Sequence, residues 1–264
     1  MNFRYYLCLL SFLCFFGTLF SQEKDSLQKL SYYDLKLAYF SNKDSNTNKA
    51  IFYATEVLNR ATDEKNKEEK NIAFLMLSDV NNRLGNYTIA LQLVDSTLLY
   101  SDVLQNQIMK VNGLKVKGNI FRNLGDYKNA TEIYLQVNNI AEQTKNISLQ
   151  IDAKHNIGLI KNEIGSHEEA IQIFTDNLNI IPSLPEVKHK TSHTKTIIAL
   201  ASAYTDFNHE KATHYTKELK EIATADNNQI ALGYYYMFEG KITYKQKKFE
   251  SALQLMNSAE KIFI

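Results

Sequence analysis

A chain of 264 residues with 44% hydrophobic content has the length and composition of a protein that folds around a sizeable core. Its 30 basic and 29 acidic side chains leave a formal charge of +1, which excludes the basic stripe expected of a nucleic-acid binder. Both cysteines, Cys8 and Cys14, fall in the first 21 residues, so disulfides, thiolate metal sites and cysteine nucleophiles are excluded from the remainder.

The N-terminus has three parts: a positive start at Arg4, an apolar run over 5–16, and a short segment ending in the small residue Ser21. This pattern predicts a secretory signal at 1–21, cleaved to leave Gln22 first. The alternative is a retained anchor, but Ser11, Gly17 and Thr18 interrupt the roughly 20 apolar residues that a hydrocarbon core requires. The expected location is therefore outside the cytoplasm, periplasmic or extracellular in a Gram-negative bacterium. No membrane association beyond the signal is expected.

From residue 22 the chain repeats. Alanines stand at Ala50, Ala90, Ala130 and Ala170, each 40 residues after the last, and continue at Ala212 and Ala252. Each marks the second helix of a hairpin, and a small residue twelve positions earlier marks the first. The first unit is predicted over 26–41 and 47–61, with Ala38 and Ala50 and no turn glycine; the charged stretch 63–70 after it reads as a solvated helix start. The second, over 68–84 and 87–103, has Ser78, Gly85 and Ala90. The third, over 106–124 and 127–144, has Gly118, Gly125, Tyr127, Ala130 and Tyr134. The fourth, over 149–164 and 167–180, has Gly158, Gly165, Ala170 and Phe174. Pro182 and Pro185 then form an inter-repeat turn or, less favoured, a bend between two subarrays. The fifth unit, over 186–206 and 209–224, is degenerate, with Leu200 at the small position and Asn208 read as taking the glycine's place in the left-handed region. The sixth, over 229–246 and 249–263, has Gly240, Phe249, Ala252 and Met256.

A glycine inside a helix costs about 1 kcal/mol relative to alanine, so Gly118, Gly158 and Gly240 at equivalent places imply close helix approach. Gly85, Gly125 and Gly165, five residues before an alanine, read as C-cap glycines that turn one helix into the next. Gly113 and Gly233 have no role in this pattern.

These residues resemble the signature of the tetratricopeptide repeat: a small residue, then Gly-x-Tyr-x-x-Ala, then an aromatic residue four later. The third unit is closest, with Leu114, Gly118, Phe121, Gly125, Tyr127, Ala130 and Tyr134, and Pro182 stands where the family often has proline. The resemblance spans about residues 27–264. It departs from the family in lacking tryptophan and in its period of 40 against the usual ~34. It implies an all-α fold, an α-solenoid of about six helix hairpins wound into a right-handed superhelix. The family's first helices line a concave groove in which partner segments bind.

No phosphate loop, nucleophile elbow or serine–histidine–acid pattern is present, so no catalytic residue, cofactor or metal is assigned. His189 and His193 share a helix face at metal-ligand spacing but lack further ligands, and read as surface histidines. The groove is the candidate site. Lys115, Asn119 and Arg122 lie along one face of a first helix, His155 and Asn156 on the next, and Lys195 on the one after. The array is similar to the carboxylate-clamp proteins that grip a peptide C-terminus, although Ala199 stands near the place of the clamp's last arginine.

The function read from the sequence is a non-catalytic scaffold binding a protein or peptide in its groove. The alternative is the sensory part of a larger signalling protein, a histidine kinase or helix-turn-helix regulator cut off at Ile264. It is suggested by the apolar ending at Ile262, Phe263 and Ile264, since terminal repeats need a polar outer face.

Overall fold

The computed structural model describes residues 29–205 and 208–263. The signal proposed at 1–21 lies outside them. Among the described residues there are twelve α-helices and no strand: α1 Tyr32–Asn42, α2 Thr47–Asp63, α3 Lys67–Arg83, α4 Tyr87–Val103, α5 Gln107–Asn123, α6 Tyr127–Gln143, α7 Ile147–Glu163, α8 His167–Ile180, α9 Glu186–Tyr204, α10 His209–Ala225, α11 Gln229–Lys245 and α12 Phe249–Phe263. A single 3₁₀ turn, Ile181–Ser183, joins α8 to α9, with Pro185 at the N-cap of α9.

The helices begin and end where side chains satisfy their orphan backbone groups. Asn46, Asn66, Asn106, Asp126, Asn146, Asn208 and Asn228 each accept, through a side-chain oxygen, the N–H three residues on at 3.0–3.1 Å. Each such cap is worth about 1 kcal/mol. Asn208 is therefore not the left-handed residue expected from the sequence. Its φ is −138°, and its side chain is committed to the Lys211 N–H. The first helix starts at Tyr32, later than expected. Ser31 closes a reciprocal capping box with Asp34, which fixes the helix start there.

Left-handed residues end the helices. Gly85, Gly125 and Gly165 have φ of +77°, +75° and +83°. The turns that follow second helices use Lys65, Gln105 and Lys145 in the same conformation, at 56°, 50° and 51°. In both kinds of turn the next N–H reaches back five residues to a helix carbonyl, as in Asn66 to Ala61 at 2.8 Å and Asn86 to Asn81 at 2.9 Å.

The described residues divide into two compact units, one up to Val116 and one from Lys117, with the boundary inside α5. In the first unit α1 packs on α2, α2 on α3 and α3 on α4. Its core is built from Leu35, Tyr39, Ala50, Ala54, Val57, Ala73, Met76, Leu77 and Val80. Tyr39 is buried, and its hydroxyl donates to the Met76 carbonyl at 3.0 Å and to Asp79 at 3.2 Å. Asp79 is also paired with Lys43 and Arg83.

In the second unit each helix from α6 to α12 packs on the next, and α9 also touches α7 and α11. The first helices of successive hairpins are thus neighbours, as nearest-neighbour stacking requires. The core here runs from Ala170 and Phe174 through Ile197, Leu200, Leu219 and Phe238 to Ile242. One residue in this core is mismatched. Asn177 on α8 is fully buried; its Nδ2 donates to the Ile151 carbonyl at 3.3 Å, and its Oδ1 has no hydrogen-bond partner among the described residues. The same register holds Val137 on α6 and Leu219 on α10, both fully buried. Asn177→Leu is therefore expected to raise the unfolding free energy by about 1–2 kcal/mol, read as a higher thermal midpoint, because a buried unsatisfied amide is removed. A lowered midpoint would show that the amide oxygen is satisfied after all.

Candidate functional site

The sequence places polar residues along the first helices, and the second unit brings most of them together. Small residues on these helices leave notches, and the notches are filled by side chains of the second helices rather than by backbone. A Cβ added to Gly118 would lie 2.8 Å from the Tyr134 ring, and one on Gly158 would lie 2.5 Å from that of Phe174. The fully buried rings of Tyr134 and Phe174 thus set the floor beneath the polar row.

Tyr134 crosses this floor and donates its hydroxyl to Asn119 Oδ1 at 2.7 Å. Asn119 is in this way bound to the core of its own hairpin, and only part of its amide remains for a partner. Arg122, one turn further along α5, is held by α7: its Nη1 lies 3.5 Å from Asn156 Oδ1 and its Nε 3.6 Å from Glu163. Asn156 in turn donates to the Asp152 carbonyl at 2.8 Å. Burial pushes the Glu163 carboxyl above the usual carboxylate range, and Arg122 opposes it. The pair is part-exposed, so it contributes well under 1 kcal/mol and serves mainly to orient the guanidinium.

His155 sits beside Asn156, its ring 5.5 Å from that of Phe174. Its Nδ1 is buried and has no hydrogen-bond partner among the described residues. Burial pushes the imidazole pKa down to about 4; Lys195 pushes the same way, Asp152 opposes and Arg122 adds to the depression. Lys195, on α9, is exposed. Asn119, Arg122, His155, Asn156 and Lys195 therefore share one polar region of the second unit, while Lys115 lies half-buried in the first unit. The cluster offers hydrogen-bonding groups and two cations beside the carboxylates of Asp152 and Glu163.

His189 and His193 lie close, with ring centroids 5.9 Å apart, and His193 Nε2 is 3.4 Å from Glu218. Among the described residues no group of three or more histidine, aspartate or glutamate side chains could hold a metal ion. No described helix is long and apolar enough to cross a membrane.

Helix hairpins joined by capped turns and stacked first helix to first helix define an all-α repeat scaffold. A family model described as tetratricopeptide repeat matches residues 116–144, the end of α5 through α6. Over that segment the chain is similar to a tetratricopeptide repeat. Solved structures share its fold. A Rap protein complexed with competence and sporulation factor has a TM-score of 0.70 at 14% identity, over 94% of this chain and 80% of that one. The apo form of RapI gives 0.62 at 14% identity, over 88% and 97%. BtubC from P. vanneervenii gives 0.61 at 15% identity, over 83% and 91%. No curated protein matches the chain.

Proposed function

We propose that this chain is a non-catalytic scaffold that binds a segment of another protein along the first-helix face of its second unit. The observation that carries this reading is the convergence of Arg122, His155, Asn156 and Lys195 on one face of stacked hairpins. Among the described residues His155 Nδ1 is buried without a hydrogen-bond partner, Arg122 is oriented by Asn156 and Glu163, and Lys195 is exposed. The Rap protein solved with competence and sporulation factor is similar in fold and supports a partner of this kind. A segment presenting a carboxylate toward Lys195 and amide groups toward Asn156 and Arg122 fits the site, since charge-assisted hydrogen bonds of this type are short and directional.

Lys195→Glu is the cleanest test, because Lys195 is exposed and its reversal leaves the fold alone. A partner captured by the unmodified chain should lose at least roughly tenfold in affinity, about 1.4 kcal/mol, with no change in melting midpoint. Equal affinity for the two forms would remove this face from the binding site. Export is part of the same proposal: the mature protein is expected outside the cytoplasm with Gln22 as its first residue, and N-terminal sequencing that reads through 1–21 would overturn the cleavage.

A further inference from the structure

One joint is repeated along this chain, and the structure shows both of its halves a second time, unfilled. In the filled joint, Ala130 and Tyr134 of α6 and Ile160 of α7 form one buried cluster, with Tyr127, Phe121 and Ile157 packed against it. The second helix thus supplies a floor, and the first helix of the following hairpin supplies two isoleucines that cover it.

The repeat register carries Tyr127, Ala130 and Tyr134 of α6 onto Phe249, Ala252 and Met256 of α12. There the floor is open. Tyr134 is fully buried but Met256 only half so, and Phe249 is 58% exposed. Tyr244, Phe249, Ala252, Leu253 and Met256 line an apolar hollow of about 450 Å³. The same register carries Ile157 and Ile160 of α7 onto Leu37 and Phe40 of α1. Ile160 is 1% exposed, whereas Leu37 is 53% and Phe40 58% exposed. With Tyr33 they form a stripe at i, i+4 and i+7 along α1, the spacing of a helix face that normally packs.

We propose that a second copy of this chain fills the hollow, with Leu37 and Phe40 of one copy's α1 seated against Phe249, Ala252 and Met256 of another copy's α12. The two surfaces differ, so the contact is heterologous and copies add head to tail. The filled joint at α6 and α7 is the template that selects this occupant. The lysines around both halves are engaged within the chain: Lys245 donates to the Thr205 carbonyl, Lys241, which also lines the hollow, lies over the Phe238 ring at 5.7 Å, Lys36 pairs with Glu69 and Lys43 with Asp79. The joint is therefore apolar, and added salt does not weaken it.

Sedimentation velocity of the full chain over a concentration series is expected to show dimers and longer species, retained at high salt. Phe40→Asp and Phe249→Asp each close one half at an exposed position, so each variant should melt like the parent and sediment as a monomer. Mixed in equal amounts, the two should form a dimer and nothing longer, because each keeps the half that the other has lost. A parent chain that stays monomeric or stops at a dimer, self-association of either variant alone, or a mixture of folded variants that stays monomeric overturns the proposal.

Discussion

Gly158→Leu is expected to destabilise the second unit by about 3 kcal/mol, seen as a lowered midpoint in thermal or denaturant unfolding. A Cβ at Gly158 would lie 2.5 Å from Phe174 Cε1 and 2.9 Å from Cζ, closer than real contacts allow. Phe174 has nowhere to retreat, since it is fully buried in the core that continues through Ala199 and Leu200. The expectation has an internal control in Gly240, where the nearest atoms belong to the flexible Met256 side chain at 3.2–3.3 Å. Gly240→Ala should cost little, because a thioether on a half-covered face moves aside and a helical alanine gains about 1 kcal/mol over glycine. A double variant sharpens the test. Phe174→Ala alone should cost about 3–5 kcal/mol by cavity formation. Combined with Gly158→Leu the total should fall well short of the sum, because the leucine occupies the space that the ring has left. Strict additivity would mean that Phe174 is not what fills the notch.

The same glycines explain why the hairpins were legible. Turn glycines Gly85 and Gly165 precede α4 and α8, which begin and end where the sequence places them; α12 does so too, although Lys247 rather than glycine makes the turn before it. The turns that follow second helices were not legible as left-handed, because Lys65, Gln105 and Lys145 are long side chains that the conformation only tolerates. Their signal was present one residue later, in Asn66, Asn106 and Asn146, which cap the next helices at the same spacing as the glycines' successors. Reading for caps rather than glycines would have shown a turn every 20 residues and would have placed Asn208 as a cap.

The candidate site was legible only in part, and for a different reason. Spacing puts Asn119 on the polar face, but its acceptor is taken by the Tyr134 hydroxyl from fifteen residues away, a contact set by how closely the two helices of the hairpin approach. Gly118 and Tyr134 together encode that approach. Neither one alone reveals it. Gly113 and Gly233 had no assigned role, yet each faces a bulky neighbour: a Cβ on Gly113 would meet Leu98 at 2.9 Å, and one on Gly233 would meet Phe263 at 2.6 Å. Small residues on first helices therefore mark two kinds of contact, and the 40-residue signature isolates only one of them.

The stability of the chain is expected to fall between pH 6.5 and 4 through His155, and His155→Leu is expected to flatten that part of the profile. A free imidazole titrates near 6.5, whereas burial holds the folded one down to about 4, with Lys195 as the next cause. Above pH 6.5 neither state is protonated, and the folded state keeps its full stability. Below it the unfolded chain takes up a proton that the folded chain refuses, so stability falls by at most about 1.4 kcal/mol per pH unit until the folded pKa is reached. Thermal melts at pH 7, 6 and 5 read this window above most of the carboxylate titrations. Leucine is the right replacement because the same register holds Leu35 and Leu75 in the first two units and Ile197 in the fifth, with only Lys115 of the third unit polar among these. It also removes the Nδ1 that is buried without a partner. Above pH 6.5 the variant should be at least as stable as the parent, and the two should diverge as acid is added. A slope that persists unchanged in His155→Leu would mean that water reaches Nδ1, and that the polar face is wetter and more adaptable to a partner than its packing against Phe174 implies.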